Sequence, residues 1–265
     1  MFLSLSLTLP VLFWLAAGEE HDASSLSLQQ SNYNPAIAKL DVQLANAHLD
    51  TILDNAEYET APASEAMEGT PWFRKGFQWG GDDLHNDAET TSWRPKGVAT
   101  LADADLDIYQ GNSEVLAVSW MDVRNVTGKS MVPGLGVRVT FVRKGSADVG
   151  VANKGYSHVL LVEPFMDDNG KPDFRVLDGI ETGGMVWRGR WIFITDANLG
   201  VRVFDVEKMF KVPDGTHVGR DKAGNYAASQ YNFIMPQAQY PLPSPILLHT
   251  TNYPQHLHPP LLQPH

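Results

Sequence analysis

The sequence predicts an all-β fold made of propeller-like, four-stranded antiparallel blades. Short runs of β-branched and aromatic residues are separated by Gly, Asp and Asn, most clearly over 183–206, and this pattern is typical of consecutive antiparallel strands. The run 200–206 has an earlier counterpart at 136–142. Repetition on this scale predicts a repeat architecture, and four-stranded units repeated along a chain are typical of propellers.

About two blades follow from this pattern. The fourth strand of each is expected to end at a proline, Pro164 or Pro236, because proline cannot donate a ladder hydrogen bond. The predicted strands are 95–99, 114–120, 136–142 and 157–164 in the first blade, and 183–187, 191–196, 200–206 and 231–236 in the second.

Two blades leave the ring incomplete, since about four are needed to close one. Three explanations stay open: a truncated or mis-spliced chain, a ring completed by oligomerisation through open blade edges, or a packed two-sheet sandwich. Truncation is favoured because residues 241–265 resemble no part of a blade. That segment holds seven prolines and four histidines with no charged residue, which predicts a disordered or extended tail.

The first 69 residues have a different character from the predicted β domain at 70–240. Residues 1–18 are apolar, and Ala16 and Gly18 precede Glu19 as in a secretory signal peptide. The run is short for a bilayer span and contains Pro10, so stable membrane insertion is not expected. A polar lead-in, one N-terminal helix over 35–58 and a linker fill residues 19–69. The helix is predicted from apolar residues at helical spacing, whose phase drifts near residue 48 and indicates a bend.

Composition narrows the classes of function. The chain has 265 residues, a formal net charge of −11 and no cysteine. The charge argues against nucleic acid as a partner, because such a partner requires a basic face. The missing cysteines exclude thiol catalysis and Cys-ligated metals. No cofactor is expected apart from a calcium candidate.

Residues 192–196 and 200–206 carry a resemblance to a known family of repeats. These runs resemble the LVIVD or YVTN-type repeats of β-propellers, and residues 93–237 are similar to uncharacterised secreted proteins of actinobacteria and filamentous fungi. The resemblance implies a propeller and no established activity. It also implies His before the pair Gly183–Gly184, where this chain has Glu181 and Thr182. Glu181 is therefore a weak catalytic candidate.

An acidic loop beside tryptophans suggests sugar chemistry. Asp82 and Asp83 are the catalytic candidates there, with Asp87 and Glu89 nearby, since glycoside hydrolysis needs two carboxylates. The neighbouring Trp72, Phe73, Phe77, Trp79 and Trp93 could stack on a sugar, but buried packing is the favoured interpretation of such a cluster.

A second acidic run has the spacing of a calcium loop. Its candidate ligands are Asp103, Asp105, Asp107 and Glu114. Ile108 stands where the loop needs Gly, so a solvated acidic turn is the favoured alternative.

Three further sites complete the set. Asn125 begins an N-glycosylation acceptor. His158 is interpreted as a structural group rather than a metal ligand. Arg138 and Arg202 occupy equivalent positions in the two predicted blades, which favours a structural role such as pairing with a carboxylate.

These observations favour a secreted, extracellular binding or scaffold protein, with a protein or glycan ligand at the blade-end loops. The alternatives are a secreted hydrolase acting on carbohydrate or lactone, and a truncated non-functional relative. The hydrolase rests on analogy of fold alone.

Overall fold

The protein is mostly β, as the sequence predicts, and its sheet is nearly closed into a barrel. The computed structural model describes residues 32–62, 77–80, 87–104, 115–123, 135–143 and 155–239. The helices are α1 (Pro35–Gln43) and α2 (Leu49–Asp54), and 3₁₀ turns cover Leu101–Ala104 and Val206–Lys208. The strands are β1 (Ala45–Asn46), β2 (Ala61–Pro62), β3 (Phe77–Gln78), β4 (Trp93–Thr100), β5 (Val115–Asp122), β6 (Val137–Arg143), β7 (Tyr156–Met166), β8 (Pro172–Val176), β9 (Thr182–Arg188), β10 (Trp191–Asp196), β11 (Gly200–Asp205), β12 (Phe210–Lys211), β13 (Val218–Arg220), β14 (Tyr226–Ala228) and β15 (Phe233–Gln239).

Eight strands form the wall of the barrel. Their order is β4-β5-β6-β7-β15-β11-β10-β9, and β4 and β9 lie side by side at its two ends. The approach is close: a Cβ atom added to Gly97 of β4 would lie 2.5 Å from the backbone nitrogen of Met185 in β9. Side-chain and backbone packing, rather than a ladder, therefore closes this seam.

The two predicted meanders share this single sheet. β4 to β7 are consecutive antiparallel neighbours, and so are β9, β10, β11 and β15. β7 and β15 pair in parallel, so the two meanders meet at their fourth strands and run in opposite senses around the wall. Within the described residues, the eight strands make one barrel-like sheet and not separate blades.

All eight predicted strands are confirmed, but the prediction that two of them end at proline is wrong. β7 continues through Pro164 to Met166, and β15 continues through Pro236 to Gln239. On one side, Pro236 pairs with β7. On the other side, it lies between the residues of β15 that pair with β12 and those that pair with β11. The missing N–H therefore falls in a gap of the ladder, where it interrupts no pairing.

The barrel interior is filled with apolar side chains from all eight wall strands. We call this set the interior cluster; its largest members include Phe141, Trp187 and Phe204. α2 covers one end of the barrel through Leu49, Ile52 and Leu53, and Leu177 and Ile180 also belong to the cluster. The interior is thus a packed core.

The predicted single helix over 35–58 is wrong in one respect: two helices are present. α1 ends at Gln43, and residues 45–46 then form β1, which pairs with β12. The Ala47 N–H donates to the Met209 carbonyl at 2.8 Å before α2 begins. The phase drift of the apolar residues marks this break, because each helix turns its apolar stripe to a different part of the barrel.

α1 lies on the outside of the wall. Asn34 caps it, its side chain accepting a hydrogen bond from the Ala36 N–H at 2.9 Å. Ile37 and Leu40 of α1 pack against an outer cluster that includes Leu160, Phe174 and Phe210. The same outer face carries the short β13–β14 hairpin.

Among the described residues, no helix is both long and apolar enough to cross a bilayer. The predicted signal peptide at 1–18 and the tail at 241–265 lie outside the described ranges.

Candidate functional site

The candidate site is an open pocket on the outer face of the barrel, with a volume of about 510 Å³. It lies between the C-terminal end of α1 and the segment that forms the β13–β14 hairpin. We call it the outer pocket; it is lined by Gln43, Leu44, Pro213, Asp214, His217, Asp221, Gly224, Asn225 and Tyr226.

The hairpin that forms one wall of the pocket is built from a short, well-bonded turn. The Asn225 N–H donates to Oδ1 of Asp221 at 2.8 Å, and the Gly224 N–H donates to the Asp221 carbonyl at 3.1 Å. Gly224 has a φ of 97°, in the left-handed region that favours glycine.

The hairpin is fixed to the barrel through β8. The Tyr226 ring stacks on Phe174 with ring centres 5.9 Å apart, and its hydroxyl donates to the Pro172 carbonyl at 2.7 Å. The Arg220 N–H donates to Oδ1 of Asp173 at 2.7 Å. These contacts hold the pocket wall in one position, as a preformed binding surface requires.

The outer pocket is acidic. Two carboxylates, Asp214 and Asp221, line it together with His217, and no Lys or Arg is among the lining residues. Hydrogen bonds from the backbone and then the side chain of Asn225 lower the pKa of Asp221, so this carboxylate is ionised at neutral pH. The pocket therefore offers hydrogen-bond acceptors and attracts positive charge.

A second polar group lies buried beneath the outer face, around Asp87. Arg138 of β6 is 1% exposed and forms an ion pair with Asp87. The Tyr156 hydroxyl donates to Oδ2 of Asp87 at 2.7 Å, and Nε2 of His158 lies 2.8 Å from the same oxygen. The Arg138 guanidinium also packs over the Trp93 ring, 4.5 Å from its centre.

The buried group extends to a hydroxyl. Thr140 Oγ1 lies 2.7 Å from Nδ1 of His158, which gives the order hydroxyl, imidazole, carboxylate of a nucleophile relay. Thr140 and His158 are both fully buried, so no substrate can reach the hydroxyl. We call this group the Asp87 network. Both ring nitrogens of His158 have partners within it, as expected of a satisfied structural histidine.

The electrostatics of Asp87 follow from its partners. Burial alone would raise the pKa of this carboxyl, but the hydrogen bond and charge of His158 and the charge of Arg138 lower the pKa to about 2. Burial and the Asp87 carboxylate raise the pKa of Tyr156. Asp87 is thus ionised and Tyr156 is protonated near neutral pH.

Arg202 also forms a buried ion pair, but on the other side of the wall. Its Nε lies 2.8 Å from Oδ2 of Asp196, and its Nη1 donates to Oε1 of Gln237 at 2.7 Å. Arg202 pairs across the ladder with Ile194 of the interior cluster. The predicted pairing with a carboxylate is confirmed for both arginines, whereas their environments are not equivalent.

The other residues predicted to form sites are not brought together by the described structure. Glu181 is exposed and lies outside the outer pocket. Asp103 lies in a 3₁₀ turn, for which only the backbone is described. The remaining predictions fall outside the described residues: Asp82, Asp83, Asp105, Asp107, Glu114 and Asn125. Within the described ranges, no three His, Asp or Glu side chains are grouped as for a metal ion.

The described members of the aromatic cluster are packed, which is the favoured interpretation, whereas Trp72 and Phe73 lie outside the described residues. Trp79 makes edge contacts with Trp120 and Tyr156 at 5.0 and 5.1 Å between ring centres, and Trp93 is 9% exposed. Trp79 and Trp93 therefore provide no open stacking platform for a sugar.

The outer pocket is not predicted by any of the sequence patterns described above. The signals available were two turn-forming runs, 213–215 and 221–225, separated by only a few residues. The strands between and after them have three residues each, too few for a visible period of two.

Comparison of the chain with models of known protein families, with curated proteins and with solved structures finds no match. The basis for a functional proposal is therefore the geometry of the outer pocket.

Proposed function

We propose that this protein is a secreted binding protein whose outer pocket takes a small, hydroxyl-rich ligand of the glycan class. The observation that carries the proposal is an open, acidic pocket of about 510 Å³ on the outside of a packed barrel. This volume lies within the range of about 300–1,000 Å³ that small-molecule sites occupy.

The lining residues favour a ligand that donates hydrogen bonds. Asp214 and Asp221 accept, and the Asn225 and Gln43 side chains both donate and accept. Leu44 and Pro213 offer apolar contacts of the kind that the C–H face of a sugar makes. With two carboxylates and no Lys or Arg in its lining, the pocket favours amino sugars over neutral sugars and disfavours sugar acids.

A titration with three related sugars tests this proposal. Glucosamine, N-acetylglucosamine and glucuronic acid differ in charge on similar rings, and binding is followed by amide chemical shifts of residues 213–226. We expect glucosamine to bind most tightly, N-acetylglucosamine more weakly and glucuronic acid least. Asp214→Asn should weaken glucosamine binding about fivefold, because a charged hydrogen-bond partner is lost.

Asp168→Asn is the matched control, because Asp168 is an exposed turn aspartate outside the pocket lining. It removes the same charge and should leave binding unchanged. Equal affinity for glucuronic acid, or equal loss in both variants, would contradict binding in the outer pocket.

The hydrolase alternative shares the ligand class. It requires that an oligosaccharide or a lactone be turned over, and that turnover be lost when a carboxylate such as Asp82, Asp83 or Glu181 is replaced. The same samples, followed for product by mass spectrometry, separate binding from hydrolysis.

Secretion and the propeller-like ring belong to the same proposal. The apolar segment 1–18 supports export, and the repeated runs 136–142 and 200–206 support a relation to propeller blades. The intact mass of the protein collected from the medium of its native host tests both. We expect a chain that begins at Glu19, and a substantially larger mass would favour a ring with further blades, of which this chain is a truncated part.

A further inference from the structure

An apolar row crosses the outside of the barrel at the seam between β4 and β9. Val98 of β4 and Val186 of β9 are 62% and 60% exposed. Val186 pairs with Phe193 of β10, which in turn pairs with Val203 of β11. Val201 lies two residues before Val203 in β11, on the same side of the sheet, and is 38% exposed. We call Val98, Val186, Phe193 and Val201 the seam face.

The seam face has an aromatic border. Tyr33 is 38% exposed, and its ring meets Trp191 of β10 edge-on at 6.3 Å. Trp191 lies on the same side of β10 as Phe193, because the two residues are two positions apart in one strand. Trp191 is half-buried beneath the Arg190 guanidinium, so the exposed ring of this border is that of Tyr33. A face of valines beside an exposed aromatic ring is the kind of surface on which proline-rich segments dock.

We propose that residues 241–265 of this chain lie across the seam face and cover it. The segment begins next to this surface: β15 ends at Gln239, which pairs with Val203 at one end of the apolar row. The proposal is independent of the glycan ligand, because the outer pocket has none of the seam-face residues in its lining.

The distances allow this placement. Hydrogen-bonded strands are about 4.8 Å apart, so the two spacings from β11 to β9 amount to about 10 Å, and β4 follows across the closely packed seam. A proline-rich chain advances about 3.1 Å per residue, so Ile246 to Leu248 can reach Val98 from Gln239.

The chemistry of the segment also fits. It carries no charged residue, and its apolar side chains include Leu242, Ile246, Leu247 and Leu248. Its seven prolines lack backbone donors, so the segment suits a face that offers apolar contacts instead of a ladder. Residues 19–31 are an alternative occupant, because they lead to Tyr33 at the border of the seam face. They include Glu19, Glu20 and Asp22, however, and the burial of these carboxylates against valines would be costly.

Crosslinking tests the proposal directly, because the chain has no cysteine of its own. The full chain carrying Val186→Cys and Leu248→Cys is treated with a short thiol crosslinker, and intramolecular and intermolecular products are separated by mass. Val42→Cys with Leu248→Cys is the control, since Val42 is 78% exposed on α1, which also begins near Gln239. Val186→Cys with Ser25→Cys tests residues 19–31 as the occupant.

We expect intramolecular product for the 186–248 pair in clear excess over the 42–248 and 186–25 pairs. Adding Val98→Asp should lower that yield about tenfold, because a buried valine contributes about 1.5 kcal/mol or more to apolar docking. Equal yields at positions 42 and 186, an excess for the 186–25 pair, a mainly intermolecular product, or no effect of Val98→Asp would each overturn the proposal.

Discussion

At the scale of single residues, two buried arginines show how this protein handles charge. Arg138 pairs with Asp87 beneath the outer face, and Arg202 pairs with Asp196 at the barrel interior. In both places hydrogen bonds accompany the ion pair, which is what makes a buried charge tolerable. Removing the arginine leaves its carboxylate buried with only its remaining hydrogen bonds, so a substitution at either position should be costly.

We therefore expect Arg138→Met to lower the free energy of unfolding by about 3–5 kcal/mol. The measurement is urea denaturation followed by tryptophan fluorescence. Arg175→Met is the control, because Arg175 pairs with Glu163 near the surface and exposed pairs contribute about 1 kcal/mol or less. Similar losses in the two variants would show that Asp87 does not depend on Arg138 for its charge.

The Asp87 network also predicts a pH dependence. The pKa of Asp87 is lowered to about 2 in the folded protein, against about 3.9 for an aspartate in an unfolded chain. A lowered pKa stabilises the fold above the unfolded value, and this contribution is lost as the pH falls through the folded value.

The free energy of unfolding of the wild type should thus exceed that of Asp87→Asn by a constant amount near pH 5. The difference should shrink below about pH 4 and be smallest near pH 2. Urea midpoints of both proteins at pH 5, 4, 3 and 2 provide the comparison. A difference that grows toward low pH would mean that Asp87 is not held ionised by its partners.

At the scale of secondary-structure elements, the sequence predicts those features that depend on residues nearby in the chain. The strand at 191–196 is predicted with its observed bounds, because alternation and the flanking turn residues are local signals. Pro164 and Pro236 lead to a wrong prediction of strand ends. A proline ends a strand only where a backbone N–H at that position would have a partner, and the position of the partner depends on strands far away in sequence. The same limit applies to Asp87, which meets Arg138 and His158 after separations of 51 and 71 residues.

The close packing of β4 against β9 leads to a prediction about these two strands. A Cβ atom on Gly97 would lie 2.5 Å from the Met185 nitrogen and 3.1 Å from the Gly184 carbonyl carbon. Gly97→Ala should force the two strands apart and cost about 1–3 kcal/mol, as overpacking does. Gly184→Ala is the control on the facing strand, since nothing lies within 4 Å of its Cβ position. Thermal unfolding of the two variants should separate them, and equal melting temperatures would contradict a tightly packed seam.

At the scale of the whole molecule, the arrangement of the two meanders is not readable from the sequence. Repeated strands suggest blades placed side by side, whereas β7 and β15 join in parallel and reverse the sense of the second meander. This choice depends on which edge of each fourth strand meets the other, and β7 and β15 are both buried along most of their length. The outer pocket depends on the same choice, because α1 and the β13–β14 hairpin reach one another over the face that β7 and β8 provide.

The barrel closure predicts the state of association. Open blade edges would promote oligomers, but β4 and β9, the two end strands of the described sheet, pack against each other, which leaves little room between them for a strand from a second copy. We therefore expect light scattering to give the mass of one chain over a broad range of protein concentration. Val98→Asp should leave that mass unchanged, because in the arrangement proposed above Val98 is covered by the same chain and not by another molecule. A dimer that Val98→Asp dissociates would instead make the seam face an interface between copies.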